Sequence, residues 1–425
     1  GVMAIFIFHQ TNKIKKITNH FREVGITSTL SKVLRRGLTK VGYKKSSKDN
    51  LLRMKDLYTE INRDVDWSKI QGIAIVTSAL EFDEVYNQRT INLAKYLSEK
   101  NYLVLYVVWQ WEPKEVLEKS YQRVFPNVYQ MPLYDFYNTL DYLVQLKNEN
   151  KHFYITFPAR LFKDIERKLV NENYKIVYDI MDEWQEFQKV GHAPWYKKSL
   201  EQAIVQESNC IFAVSEPLKA KFSTLNKHIY VVGNGYNPKL SGKDKQFIAK
   251  KMEDEDGKIH VGYFGHLTDS WFDWDYVFAL ANDSRVVIHL VGHGVSDYYI
   301  QRISSYSNIH FYGKAHPSEL YKFVSNWHIG IIPFKQSKLS EAVDPIKIYE
   351  YLYFGLPTVS TGIPHLSKYP FVKHCESTED FVSSVQVFYQ QVINKTLDYR
   401  ELDKFLEETT WDERFNKMLK IIDKM

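Results

Sequence analysis

The segment DPIKIYEYLYFGLP, residues 344–357, places Lys347 and Glu350 three residues apart within an otherwise apolar and aromatic stretch. Side chains at this spacing share one face of a helix. An ammonium group in the first turn adds to the positive end of the helix dipole and suits a phosphate. A carboxylate one turn later can accept two hydrogen bonds from a vicinal diol such as ribose. The pair therefore predicts a nucleoside diphosphate site, and the alternative is a surface Lys–Glu pair.

The residues around this pair predict where the helix begins and ends. Asp344 is a favoured N-cap residue, and Pro345 is a favoured first helical residue. The sequence Gly355-Leu356-Pro357 stops the helix and leads into the next strand. The remaining residues are too apolar for a solvated helix face, which favours the functional interpretation.

Short apolar runs alternate with helical stretches along most of the chain. Such alternation is typical of βαβ units and predicts an α/β fold with parallel sheets. The predicted strands form two series, at 72–79, 102–109, 152–157, 175–181, 210–215 and 228–234, and then at 259–265, 285–292, 309–313, 328–334 and 357–361.

The polar, charge-rich segment between the two series is predicted to be a linker, so the 425 residues divide into two doubly wound, Rossmann-like domains that face a cleft. Parallel sheets bind ligands at the carboxyl ends of their strands. The predicted divisions are a basic helical extension (1–69), a first domain (70–236), a linker (237–258), a second domain (259–397) and a C-terminal helical segment (398–425).

The first 50 residues carry eleven Lys and Arg against two acidic residues, although the net charge of the whole chain is only +5. Apolar residues recur at three- and four-residue steps from Ile26 to Val41, which predicts a basic amphipathic helix. Residues 13–48 are therefore expected to contact an anionic membrane surface. The alternative is a helix that packs on its own domain with a solvated basic face. Nucleic acid is not expected as a partner, because no nucleic-acid-binding motif accompanies the basic residues.

The sequence lacks the motifs expected for a metal site, a disulfide framework or a dinucleotide-binding loop. The two cysteines, Cys210 and Cys375, show no CxxC spacing and predict neither a metal site nor a disulfide framework. The segment VGHGVSD has Asp297 where a dinucleotide-binding loop needs its third glycine. The acidic pairs in DVD (64–66) and DED (254–256) lie in polar connections. We therefore expect no metal and no other cofactor.

The segment DPIKIYEYLYFGLPTVST resembles the P-x-K-x-x-E-Y-x-x-x-G-x-P-V segment of GT-B glycosyltransferases of the large, retaining family 4 type. The resemblance is strongest to the bacterial branch found in teichuronic acid, capsule and O-antigen assembly. It covers roughly residues 70–425, and the last helix, from Trp411, resembles one that crosses back to the first domain. Further segments agree in order: VYDIMDEW, AVSEPL, VVGNGYN, VGYFGHLTDSWFDW and NIHFYGKAHPSELYKFVSNWHIGIIPFK.

The resemblance implies roles for matching positions. Glu350 would bind the donor ribose, Lys347 the diphosphate, and Gly265 would mark the phosphate loop, while Asn234 and Gly235 would line the cleft at the hinge. The implied catalytic residues are Glu350, Lys347 and Asp182. The implied donor-binding residues are Gly265, His266, Asn234, Gly235, Lys335, Pro345, Tyr349 and Glu350. The implied acceptor-side residues are Asp83, Glu84, Arg89 and Asp182.

Two positions depart from the family pattern. The family places a further Glu eight residues before the ribose-binding one, where this chain has Ala342. Many members carry a basic residue after the phosphate loop, where this chain has His266, and Lys335 is a candidate substitute for that cation.

The resemblance implies a hexosyl- or deoxyhexosyltransferase that moves a sugar from a nucleotide-sugar donor to a cell-surface glycan or lipid-linked glycan, with retention and without a metal. An inverting mechanism would need a base, for which Asp83, Glu84 or Asp182 is the candidate. The alternatives are a sugar-nucleotide epimerase of the same fold and a non-catalytic glycan- or nucleotide-binding module. No apolar run reaches the ~18 residues of a membrane span, and we expect the chain in the cytoplasm or at the inner face of the plasma membrane.

Overall fold

The structure is a computed structural model that describes residues 45–110, 116–238 and 256–425. Most of the predicted basic arm (13–48) and most of the predicted linker (237–258) lie outside the described residues. The chain divides into two compact units. The N-terminal unit comprises the described residues up to Gly233 together with Phe415–Met425, and the C-terminal unit comprises Asn234–Arg414.

The strands of the N-terminal unit are mostly short, apolar and buried. They are β1 (Gly72–Ser78), β2 (Tyr102–Val108), β3 (Gln122–Phe125), β4 (Val128–Pro132), β5 (Lys151–Ile155), β6 (Lys175–Ile180), β7 (Cys210–Ala213) and β8 (Ile229–Val231).

Among the described residues, these strands form one eight-stranded sheet in the order β3-β4-β2-β1-β5-β6-β7-β8. All neighbouring pairs are parallel except β3 and β4. The central strands β1 and β2 are buried along their whole length, with Gly72 opposite Tyr102 and Ser78 opposite Val108. Strands buried on both faces explain the continuous apolar runs in the sequence.

Helices precede or connect these strands. They are α1 (Lys48–Asp64), α2 (Arg89–Glu99), α3 (Leu133–Asn138), α4 (Arg160–Val170), α5 (Trp184–Lys189), α6 (Lys198–Glu207) and α7 (Glu216–Phe222), with a 3₁₀ helix at Leu140–Gln145. Helix α1 packs against α3 and buries Met54, Leu57, Tyr58 and Ile61. The described end of the predicted N-terminal extension is thus part of the N-terminal unit.

The C-terminal unit contains a second parallel sheet. Its strands are β9 (Ile259–His266), β10 (Val286–His293), β11 (Ile309–Gly313), β12 (Ile329–Pro333), β13 (Thr358–Thr361) and β14 (Val372–Cys375). Within the described part of the chain, their order is β11-β10-β9-β12-β13-β14. The predicted α/β class, with two parallel sheets, is therefore confirmed.

The helices that follow these strands are α8 (Trp274–Ala281), α9 (Asp297–Ile303), α10 (Leu320–Val324), α11 (Lys338–Ala342), α12 (Ile346–Tyr353), α13 (Thr378–Ile393), α14 (Tyr399–Glu408) and α15 (Trp411–Asp423). The first four residues of α15 belong to the C-terminal unit and the others to the N-terminal unit. Helix α12 carries Lys347 and Glu350, the pair that predicts a nucleoside diphosphate site.

Candidate functional site

The side chain of Lys347 lies over the carboxyl end of β9. An ideal Cβ placed on Gly265 would come within 3.2 Å of the Lys347 Nζ atom. The same ammonium group lies 5.1 Å from the centroid of the Tyr263 ring and 5.2 Å from that of Phe334. Aromatic faces attract a cation and also screen it from water. The structure thus brings together two positions, Lys347 and Gly265, that lie 82 residues apart in the sequence.

Lys347 and Glu350 share one face of α12, and both side chains are partly exposed. Burial lowers the pKa of the Lys347 ammonium group to about 8, while the Glu350 carboxylate raises it. The group therefore gains more from an anionic partner than an exposed lysine would, because water solvates its charge poorly. This arrangement suits the binding of an anion such as a diphosphate.

Two glycines lie opposite each other at this sheet edge, Gly265 partly exposed and Gly292 buried. Gly265 and Gly292 pair across β9 and β10, with φ of +139° and +155°. A Cβ on Gly292 would come within 1.8 Å of the Gly265 carbonyl oxygen, so the close approach of the two strand ends requires glycine. A bare backbone at the carboxyl end of parallel strands is where a phosphate group can approach.

His266, which the resemblance placed in the donor site, is buried and only 1% exposed. Its ring packs against Trp271 and His293, with centroids 5.4 Å and 4.6 Å away. Its carbonyl oxygen accepts a hydrogen bond from the Tyr263 hydroxyl at 2.8 Å. The imidazole is therefore a buried packing group at the end of β9. It is not an exposed replacement for the family's basic residue.

Lys335 is exposed, as a substitute cation would have to be, but its ammonium group donates to the carbonyl oxygen of Asp269 at 2.6 Å. Its backbone N–H donates to the Trp271 carbonyl oxygen at 2.7 Å. Lys335 therefore stabilises the loop that follows β9. Of the two predicted cations, Lys347 is the one that lies over Gly265.

The start of α12 differs from the prediction. The helix begins at Ile346, and Pro345 is its N-cap residue, without a side-chain cap hydrogen bond. Asp344 does not cap the helix, since its carboxylate accepts from the Asn234 N–H and from two tyrosine hydroxyls. Tyr349 is one of those tyrosines and is fully buried. Pro345 and Tyr349, both predicted to bind the donor, are therefore core residues at the base of the site.

Asn234 and Gly235 were expected to line the cleft. Within the C-terminal unit, the Asn234 backbone N–H and side-chain amide each donate to Asp344 at 2.6 Å. A Cβ on Gly235 would come within 2.6 Å of the Thr409 carbonyl oxygen, so this glycine permits close packing of two chain segments. Both residues hold the beginning of the C-terminal unit in place.

Asp182 follows β6 in the N-terminal unit and is only 4% exposed. Its Oδ2 atom has no hydrogen-bond partner among the described residues. Two residues later Trp184 begins α5, and its ring packs against Phe157 and Trp195 with centroids 5.2 and 5.4 Å away. Burial raises the pKa of the Asp182 carboxyl to about 7. A carboxyl that titrates near neutral pH is suited to proton transfer.

We expect Asp182→Asn to change the pH dependence of stability. In the folded protein the carboxyl holds its proton up to about pH 7, whereas an unfolded Asp releases it near pH 4. The wild type should therefore lose stability as pH rises from about 4 to about 7. About three pKa units at about 1.4 kcal/mol each amount to roughly 4 kcal/mol at most, and the Asn variant avoids this loss.

Thermal unfolding at about pH 5 and about pH 8 measures this effect. The melting temperature of Asp182→Asn relative to wild type should rise between the two conditions. Glu84→Gln removes an exposed carboxylate from the same unit and serves as the control. Parallel curves for wild type and Asp182→Asn would show that the Asp182 carboxyl is already ionised throughout.

Arg89, predicted on the acceptor side, is a buried structural residue. Its guanidinium forms a bidentate pair with Asp179 on β6, at 2.7 and 3.0 Å, and donates to the Gly233 carbonyl oxygen at 2.9 Å. It also lies 6.0 Å from the centroid of the Phe415 ring. With a side chain only 1% exposed, Arg89 connects separate segments of the N-terminal unit.

The other acceptor-side residues lie in the loop after β1. Asp83 is half-buried, and its carboxylate accepts from the Val85 N–H at 3.2 Å, while Glu84 is exposed. Over residues 45–110, 116–238 and 256–425, no group of three or more His, Cys, Asp or Glu side chains is arranged to hold a metal ion. No helix in these ranges is both long and apolar enough to cross a bilayer.

The two units, each built on a parallel α/β sheet, give this chain the GT-B fold. No family model matches the chain. It is 27% identical over 236 residues to TuaH of Bacillus subtilis (strain 168), named as a candidate teichuronic acid biosynthesis glycosyltransferase. That match covers 52% of this chain and 59% of TuaH, so the chain spans less than two thirds of its relative's length.

Solved structures agree with this fold. Sucrose-phosphate synthase from Thermosynechococcus elongatus has a TM-score of 0.59 and 15% identity, over 83% of this chain and 98% of its own. Anabaena HepE in complex with UDP and glucose has a TM-score of 0.58 and 13% identity, over 83% and 99%. A variant of S. aureus TarM in complex with fondaparinux, alpha-GlcNAc-glycerol and UDP has a TM-score of 0.54 and 10% identity, over 83% and 99%.

Proposed function

We propose that this chain is a glycosyltransferase that takes a sugar from a nucleotide-activated donor and adds it to a bacterial cell-surface glycan. The observation that carries the proposal is Lys347, a partly buried cation placed over the bare backbone of Gly265 at the carboxyl end of β9. Glu350, one helical turn further on, supplies a carboxylate where the donor's pentose would follow the diphosphate.

The comparisons support this proposal at two levels. TuaH is named for teichuronic acid biosynthesis, which favours a surface glycan as acceptor. HepE has been solved with UDP-glucose and TarM with UDP, which favours a nucleoside diphosphate sugar as donor. The sugar is proposed to be a hexose or deoxyhexose.

The chemistry proposed for Lys347 follows from charge. Cleavage of the anomeric C–O bond leaves negative charge on the departing diphosphate, and a fixed cation stabilises the transition state in which that charge develops. The positive end of the α12 dipole acts in the same direction. We propose retention of the anomeric configuration, with Lys347 and the helix end meeting the diphosphate charge without a metal.

We propose that Asp182 serves the acceptor side, since a carboxyl with a pKa near 7 can exchange a proton at physiological pH. Asp83 and Glu84 are proposed to lie along the acceptor's approach to the same sheet edge. The acceptor would be a glycan or a lipid-linked glycan, and the basic residues 13–48 would hold the chain at an anionic membrane surface.

A donor screen tests the proposal. Thermal unfolding is measured with UDP, GDP and dTDP, each alone and as its sugar conjugate, and with CMP, which lacks a diphosphate. A ligand at about 100 times its Kd should stabilise the protein by about 2.7 kcal/mol. The stabilising donor is then incubated with a membrane fraction that supplies acceptor, and release of the nucleoside diphosphate is followed.

The outcomes separate the three candidate activities. A transferase releases nucleoside diphosphate in an acceptor-dependent manner and labels the glycan. An epimerase converts the donor to an isomeric sugar nucleotide without acceptor. A binding module is stabilised by the nucleotide and does neither, and stabilisation by none of the nucleotides contradicts the proposal.

A further inference from the structure

Asp344 is a buried carboxylate, 3% exposed, that immediately precedes the N-cap of α12. Its Oδ2 atom accepts from the Asn234 N–H and from the Tyr349 hydroxyl, each at 2.6 Å. Its Oδ1 atom accepts from the Tyr369 hydroxyl at 3.1 Å. Three donors from three separate segments therefore converge on one carboxylate.

The hydrogen-bond network around Asp344 includes both ends of the C-terminal unit, Asn234 directly and Arg414 through Asn234 and Tyr349. Asn234 is the first residue of that unit and Arg414 is the last. The Arg414 guanidinium donates to the Asn234 carbonyl oxygen at 2.8 Å and to the Tyr349 hydroxyl at 3.2 Å. The side-chain amide of Asn234 donates to the Asp344 carbonyl oxygen at 2.6 Å. One hydrogen-bond network, buried around Asp344, thus connects both ends of the C-terminal unit with the start of α12.

The two end segments also pair directly with each other. Tyr236 and Thr410 form a parallel bridge, and the Trp411 N–H donates to the Tyr236 carbonyl oxygen at 3.1 Å. The Tyr236 hydroxyl donates to the Leu406 carbonyl oxygen at 2.8 Å. The beginning and the end of the unit therefore form one local structure, and Asp344 attaches α12 to it.

We propose that Asp344 is a positioning residue that fixes the start of α12, and with it Lys347 and Glu350, against the first and last residues of the C-terminal unit. The carboxylate is suited to this role because charge-assisted hydrogen bonds are short and geometrically demanding, and because a buried network with every member bonded is rigid. This inference extends the proposed function, since Lys347 and Glu350 are the residues proposed to bind the donor.

Two variants weaken the network in graded steps, and a third provides a matched control. Tyr369→Phe removes one donor to Asp344 and leaves the carboxylate in place. Asp344→Asn removes the charge and keeps one acceptor oxygen. Tyr353→Phe removes a hydroxyl from the same helix, where it donates to the Pro238 carbonyl oxygen at 3.1 Å and does not contact Asp344.

Hydrogen–deuterium exchange of the full chain tests the positioning role without any donor. We expect Tyr369→Phe and Asp344→Asn to speed exchange about tenfold or more in the first turn of α12 and, together with it, in residues 233–237 and 409–414. Tyr353→Phe should leave the exchange of these three segments as in wild type. Faster exchange in α12 alone, or in none of the segments, overturns the proposal.

The donor KM distinguishes a positioning role from general destabilisation, because a loss of folded protein does not change KM. Displacement of Lys347 and Glu350 should raise the donor KM about tenfold in Tyr369→Phe, and more strongly in Asp344→Asn. A loss of folded protein alone would lower kcat and leave KM unchanged, and that result overturns the positioning role. If the wild type takes no nucleotide sugar, the proposed function fails, while the exchange experiment still decides whether Asp344 positions α12.

Discussion

Glu350→Ala should abolish detectable sugar transfer while the protein stays folded. A carboxylate that accepts hydrogen bonds from two pentose hydroxyls contributes about 1.5–3 kcal/mol through each of them. Loss of both corresponds to a fall in kcat/KM of at least about 100-fold. The fold should tolerate the change, since Glu350 is partly exposed on α12 and alanine is the best helix former.

Steady-state rates at increasing donor concentration, together with thermal unfolding, measure this effect. Glu350→Gln should fall between wild type and Glu350→Ala, because an amide can accept one hydrogen bond but carries no charge. Glu319→Ala removes an exposed glutamate from the same unit and is the matched control. An unchanged rate of Glu350→Ala at every donor concentration would refute the role of this residue.

Lys347→Ala should lower kcat by about 100- to 1000-fold, the range seen when one group that stabilises transition-state charge is removed.

The activity of the wild-type protein should also depend on pH through the protonation of Lys347. Burial lowers the pKa of its ammonium group to about 8, so above that pH the free enzyme increasingly carries a neutral amine. Donor kcat/KM should then fall by up to about tenfold for each further pH unit.

The pH profile of Lys347→Arg provides the decisive comparison. A guanidinium group stays charged throughout the measurable range, so the variant should lose activity through geometry but should show no decline tied to a pKa near 8. Lys338→Ala, which removes an exposed lysine from α11, should keep both the wild-type rate and the wild-type profile. A wild-type profile that stays flat from about pH 7 to about pH 9 would show that a charged Lys347 is not required.

The parallel strands were predictable because a parallel sheet buries both faces of each strand and leaves a continuous apolar run in the sequence. The hairpin of β3 and β4 was not predicted. Strand β3 has only four residues and no buried residue, so it carries no such run. The turn between the two strands depends on Asn127 in a left-handed conformation, with φ of +58°, which asparagine tolerates but does not require.

The Lys347–Glu350 pair could be found from its spacing on one helix, whereas Gly265, at the end of a predicted strand, was indicated only by the family resemblance. The partners of Arg89 could not be found in this way, because Asp179 lies 90 residues away and the pair forms only in the folded core. One feature of the sequence nevertheless indicated that Arg89 has a buried anionic partner. An arginine opens α2 at the positive end of the helix dipole, which is unfavourable unless a specific anion compensates it.

The environment of Asp344 was predictable only in part. The residue type and position suggested a helix cap, which is a local interaction. The actual partners, Asn234 and Tyr369, lie 110 residues before and 25 residues after it in the sequence. Local patterns therefore identified the polar residue correctly but not the tertiary network that it joins.

A crystal structure of the protein with bound UDP would test the central claim most directly. We expect a diphosphate oxygen within about 3 Å of the Lys347 Nζ atom above Gly265, and the pentose hydroxyls within about 3 Å of the Glu350 carboxylate. A nucleotide bound elsewhere, with the α12 face formed by Lys347 and Glu350 in contact only with solvent, would contradict the account.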